Sequence, residues 1–148
     1  MRKLLFLISV ILLISCADEQ KTRNEKIREN AESLIKPKLK SVSSYNFLSM
    51  NVTEEISVSE RRKVINDKFL NKTKELSSKT NSARDILISA QKEYDFLNKQ
   101  TDKNKTALFY YDFIFEATNS FGGVIKNKYF VSVLNDDNYT VLRVRKVN

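Results

Sequence analysis

From Leu108 to Glu116 two series of side chains interleave. Phe109, Tyr111, Phe113 and Phe115 alternate with Leu108, Tyr110, Asp112, Ile114 and Glu116. Successive side chains of a strand point to opposite faces, so a period of two puts all four aromatics on one face. A helix would scatter them round its circumference. The segment is therefore a strand with an aromatic face that must be covered.

The residues downstream extend that strand into a meander. Asn119-Ser120-Phe121-Gly122-Gly123 holds the chain's two glycines, which suit a turn needing positive φ. Val124 to Leu134 reads as the next strand, Asn135-Asp136-Asp137-Asn138 as the next turn, and Tyr139 to Val147 as the last strand. Pairing Thr118 with Val124 sets Phe113 against Tyr129, Tyr111 against Val131 and Phe109 against Val133. Pairing Leu134 with Tyr139 sets Val133 against Thr140, Val131 against Leu142 and Tyr129 against Val144. These pairs share one apolar face, and a one-residue slip would scramble it. On the other face Glu116 meets Lys126, with Asp112, Lys128, Arg143 and Arg145 nearby.

Upstream, Ile27, Ala31, Leu34 and Ile35 mark one face of a short helix that Pro37 ends. Tyr45 to Val52 reads as a strand with Tyr45, Phe47 and Ser49 on one side. Ser57 and Glu60 have the spacing of a capping box, and Val58, Ile65, Phe69 and Leu76 then fall on one helical stripe. Ser77 to Asn81 breaks that helix; Ile86, Ala90, Tyr94 and Leu97 carry a second one. The expected fold class is α+β: an N-terminal helix, one strand, a helical hairpin, and a three-stranded antiparallel meander packed on the helices. The hairpin is the natural cover for the aromatic face.

The N-terminus has a different character. Arg2 and Lys3 precede an apolar run, Leu4 to Ile14, interrupted only by Ser9. The run is too short for a transmembrane helix but suits a signal peptide. It ends in Leu13-Ile14-Ser15-Cys16, which matches the bacterial lipobox, so Cys16 is the expected lipid-attachment site. The domain reading is a lipoprotein signal peptide over 1–15, a lipidated flexible tether over 16–26 without a large apolar residue, and one α+β domain over 27–148. Cys16 is the only cysteine, which excludes an intramolecular disulfide.

The chain has no histidine. That removes the commonest general base and zinc ligand, along with every Ser–His or Cys–His nucleophile pair. Asp136-Asp137 lacks the spaced ligands and closing Glu of a calcium loop. No catalytic residue, metal site or cofactor is expected. The formal net charge of +8 is spread along the chain, two units of it at Arg2 and Lys3. An exported protein gives nucleic acid little place as a partner; an anionic membrane surface, an acidic glycan or an envelope protein fits better. The surface for such a partner is Lys126, Lys128, Arg143 and Arg145, although cross-strand charge pairing on a solvated face accounts for the same residues. The leading expectation is a lipid-anchored, non-enzymatic binding or accessory module of the cell envelope. The alternatives are a structural spacer and a carboxylate-based hydrolase. For the hydrolase, Asp112 and Glu116 stand about 13 Å apart along a strand, too far for a glycosidase pair of about 5–9 Å.

Several short motifs resemble small lipoproteins of Bacteroidota. They are the lipobox, the Lys/Asn/Glu-rich segment after it, Lys36-Pro37-Lys38-Leu39-Lys40 leading to Ser44-Tyr45-Asn46-Phe47, the charged helical hairpin, and Phe113-Ile114-Phe115-Glu116-Ala117-Thr118-Asn119-Ser120-Phe121-Gly122. The resemblance implies an α+β domain anchored in the outer membrane, with no activity attached. Asp18 and Glu19 are similar to the acidic signal that promotes surface display in such bacteria. Ala17, in place of Asp, points away from inner-membrane retention.

Overall fold

The computed structural model describes residues 22–147; Cys16 and the leader lie outside the described residues. The architecture is α+β. Helix α1 covers 22–35 and leads through two short 3-10 turns, Lys36–Lys38 and Val42–Ser44, into strand β1, Asn46–Ser57. Helices α2 (Val58–Val64), α3 (Asp67–Ser77) and α4 (Asn81–Lys99) come next. Strands β2 (Thr106–Thr118), β3 (Val124–Leu134) and β4 (Val141–Lys146) complete the chain. The four strands form one antiparallel sheet in the order β1-β2-β3-β4. The first strand thus joins the meander as an edge of the same sheet.

Register between β2 and β3 agrees with the sequence expectation, with Thr118 opposite Val124, Phe113 opposite Tyr129 and Phe109 opposite Val133. The other two junctions carry bulges. Between Phe47 and Ser49 the β1 register shifts, so Ser49 pairs with Ile114 and Met50 takes the core position opposite Phe113. The β3–β4 pairing also corrects the expectation. Leu134 donates to the carbonyl of Thr140 at 2.9 Å, not Tyr139, and Tyr139 sits in the turn with φ +48°. Asp136 secures this wider turn by accepting from Thr140 N and Oγ1 at 2.8 and 2.6 Å. A bulge at Leu142 then sets Val131 opposite Val144 and Tyr129 opposite Lys146. Val141, rather than Leu142, packs inward.

The cover of the aromatic face is α1, which corrects the expectation that the hairpin performs this role. Ile27, Ala31 and Ile35 are 0–1 % exposed and cluster with Phe109, Tyr111, Phe113, Phe115, Val131 and Val133. Two cations on α1 and one on the 3-10 turn after it lie over rings at the margin: Arg23 on Phe109, Arg28 on Phe47 and Lys36 on Tyr45, at 4.0–4.8 Å from the centroids. Their aliphatic stems shield apolar surface while the charged heads stay near water. Residues 22–26, read as part of the tether, are therefore helical: their polar side chains are helix-compatible, and Arg23 is held by the sheet. Leu34, expected on the buried stripe, is 43 % exposed. Glu32 accepts from Arg28, Lys36 and Tyr45 at 2.6, 2.6 and 2.9 Å. Burial pushes its pKa up, but these donors outweigh burial and leave it below the usual value of 4.5.

The helical hairpin is pinned by its base and by its own small core. Val58 N and Ser59 N donate to the carbonyls of Lys105 and Lys103, bringing the two ends of the insertion together. Ser57 and Glu60 form the expected capping box. The helix it starts stops at Val64, and Asn66 caps α3 by accepting from Phe69 N. Thr80 caps α4 by accepting from Ala83 N. Val58, Ile65, Leu97 and Ala107 are buried together, with Phe69, Tyr94 and Phe96 packed around them. These members of the two stripes are used on one another, whereas Leu76 and Ile86, expected on the same stripes, are each 45 % exposed.

Candidate functional site

Even-numbered residues of β2 and β3 face away from α1, and near the Leu108–Leu134 end of the sheet the hairpin lies over them. Its helices do not close on the sheet. Between them lies an open cleft of about 540 Å³, within the range of about 300–1,000 Å³ usual for small-ligand sites. The floor comes from Leu108, Tyr110, Phe130 and Ser132, the helical wall from Ile65, Phe69, Ile86 and Ala90, and one margin from Leu142, Arg143 and Val144 of β4. Tyr110 and Phe130 pack across the strands with centroids 4.8 Å apart and rings tilted by 45°.

Two adjacent arginines on α2 set the spacing of this wall. Arg61 makes a two-pronged ion pair with Glu93 of α4, Nε to Oε1 at 2.5 Å and Nη2 to Oε2 at 2.9 Å. Both side chains are largely buried, at 15 % and 5 % exposure. Burial works against the Arg61 charge, yet Glu93 more than compensates and raises its pKa further above the ordinary value. Arg62 donates to the carbonyls of Leu97 and Gln100 at 2.6 and 2.8 Å, satisfying orphan acceptors at the end of α4. On the far side Ser89 Oγ donates to the carbonyl of Leu142 at 3.1 Å, tying α4 to the β4 edge. Burial raises the pKa of Tyr110; nearby Arg61 opposes that shift, while Glu93 and Glu54 add to it.

The four cations expected to form a partner surface do share one sheet face. Arg143 is opposite Ser132 and lines the cleft, Arg145 is opposite Phe130, and Lys126 is opposite Glu116. Lys128 bonds Asp112 at 2.7 Å, and the Arg145 guanidinium lies 5.8 Å from the Phe130 centroid. They form a strip running from the mouth of the cleft along the uncovered half of the face. Two of them are partly occupied by neighbours, so Arg143 is the member joined to a concave surface. Asp112 is taken by Lys128, and Glu116 accepts from Asn46 at 3.4 Å. Among the described residues, no group of three His, Cys, Asp or Glu is placed to hold a metal ion. No described helix is long and apolar enough to cross a membrane.

Comparison with family models, curated proteins and solved structures finds no match to this chain. The cleft was not legible in the sequence. Arg61 and Glu93 are 32 positions apart, and only the folded hairpin unites them. The one available signal was a pair of adjacent arginines, Arg61-Arg62, on a helix otherwise read as a simple amphipathic cover.

Proposed function

We propose that the chain is a lipid-anchored envelope lipoprotein acting as a non-enzymatic binding or accessory module, with its ligand held in the hairpin–sheet cleft. The observation that carries this reading is the cleft itself. A hairpin with its own small core still leaves Phe69 and Ile86 across an open space from Tyr110 and Phe130. The anchor rests on the lipobox ending at Cys16 and on the resemblance to Bacteroidota lipoproteins, which also favours the outer membrane.

Binding is favoured over hydrolysis by the acidic groups in the cleft. Its two carboxylates are Asp85 and Glu93. Eight residues of helix separate them by about 12 Å, beyond the span of a glycosidase pair, and both Glu93 oxygens are engaged by Arg61. The spacer alternative provides no reason for an open cleft.

Two measurements test the proposal. Cys16→Ser is expected to abolish palmitate labelling and membrane partition, because only the thiol forms the thioether to diacylglycerol; unchanged labelling would remove the anchor. Ile86→Glu, at a half-exposed cleft position, is expected to abolish capture of envelope components by the full chain without changing its thermal unfolding. Unchanged capture would remove the cleft from the function.

A further inference from the structure

The charges around the cleft are arranged unevenly. In its interior Arg61 and Glu93 cancel each other at hydrogen-bond distance. At its margin Arg143 and Lys38 have no ion-pair partner among the described residues. The acidic group sharing that margin is Asp85, which is exposed on α4. Between margin and interior, Ile65, Phe69, Ile86 and Phe130 supply apolar surface beside the polar side chains of Ser89, Tyr110 and Ser132. Outside, Arg145 continues the positive side away from the opening, while Lys128 is paired with Asp112 and Lys126 stands opposite Glu116.

We infer that the cleft takes a single-chain amphiphile with an acidic head group, its tail between Ile86 and Phe130 and its head on Arg143. This rests on the reading of the cleft as the binding site. The tail is recognised by burial of apolar area, the dominant and least directional contribution. The head is recognised by a guanidinium whose planar fork matches a carboxylate or phosphate in two parallel hydrogen bonds. An interior whose own charges are already paired leaves no ionic group there to compete for the head. The size of the cleft suits a small ligand rather than a peptide helix, and the cations at one end fix which way an amphiphile enters.

The test uses the full chain in neutral maltoside detergent and dodecanoic acid bearing a diazirine on its tail, with the photolabelled peptides mapped by mass spectrometry. Labelling is expected within residues 65–93 and 108–144. Excess dodecanoate should compete with it, and dodecyltrimethylammonium should compete at least roughly tenfold less well, the discrimination one charge-assisted contact provides. Arg143→Glu should weaken labelling by a similar factor without moving its position. Ile86→Glu should abolish it while circular dichroism stays unchanged. Equal competition by the cationic amphiphile would overturn the acidic head group and leave the cleft as a binding site. Labelling confined to α1 or the Phe121 turn, or indifferent to Ile86→Glu, would overturn the cleft reading as well.

Discussion

The two faces of the sheet are covered by helices in opposite ways. On one face α1 lays Ile27, Ala31 and Ile35 directly on an aromatic row, and Phe109, Tyr111, Phe113 and Phe115 are at most 2 % exposed. On the other, α3 and α4 span a gap above Leu108, Tyr110 and Phe130. The close cover is a single helix whose apolar positions recur every four residues and whose Arg23 and Arg28 lie over marginal rings. The open cover is a hairpin held off by a buried Arg61–Glu93 pair and a side-chain contact to the β4 edge. The longer helical element thus leaves a space, and the shorter one makes the core. Burial stabilises the first face; the second retains accessible apolar surface, as a binding site requires.

Truncating the aromatic row should give the largest effect. Phe113→Ala and Phe115→Ala are each expected to cost about 3–5 kcal/mol, enough to unfold a marginal domain. Phe130→Ala, on the cleft floor, should cost less than half as much in the same urea titration. Equal losses would mean that both faces are packed alike. The spacer pair comes next. Glu93→Gln leaves Arg61 without its ionic partner and should cost about 1.5–3 kcal/mol. The double variant Arg61→Met/Glu93→Leu should recover much of that, because an apolar pair replaces a desolvated ionic one. No recovery would mean that the pair holds the hairpin in a way apolar packing cannot.

A smaller effect separates the two glycines of the β2–β3 turn. Gly122 has φ +81°, so Gly122→Val should cost about 1 kcal/mol or more. Gly123 lies outside that region, and an added Cβ would meet the Asn119 side chain at an ordinary 3.6 Å; Gly123→Val should stay within about 0.5 kcal/mol. The smallest effect is confined to acid. Glu32 has a pKa below 4.5 in the folded chain, so its contribution is fully present above the unfolded value. It is lost as pH falls through the lower folded value. Glu32→Gln should flatten that part of the stability profile below about pH 4.5, and an unchanged acid limb would show that the Arg28–Glu32–Lys36 cluster contributes nothing to the α1 face.

The sequence was most legible where local chemistry and pairing agree. Period-two alternation, two glycines in one turn and complementary charges at Glu116 and Lys126 were enough to define the β2–β3 register. The capping box at Ser57 is equally local. The bulges at Leu48 and Leu142 were not legible, because an extra unpaired residue leaves little signature when it is itself apolar and follows an apolar residue. Nor was the identity of the cover. Two amphipathic elements competed for one aromatic face, and the stripe pattern does not show that Val58, Ile65 and Leu97 satisfy one another. The basic strip was readable by parity, since Arg143 and Arg145 keep their face despite the bulge. Its connection to a cleft depends on how far α4 stands from the sheet, a distance set by side chains remote in sequence.

Ser132 and Val131 are consecutive residues of β3 on opposite faces, so their accessibility tests the contrast between the two covers directly. In a Cys16→Ser background, Ser132→Cys and Val131→Cys would each be exposed under native conditions to a small methanethiosulfonate reagent. Ser132 is 7 % exposed on the cleft floor and Val131 0 %, so the thiol at 132 should react at least roughly tenfold faster, through the cleft. The thiol at 131 should react only through global opening, at a rate set by the stability of the domain. Equal protection at both positions would mean that the hairpin closes on the sheet as tightly as α1 does, contradicting the assignment of this face as a binding site.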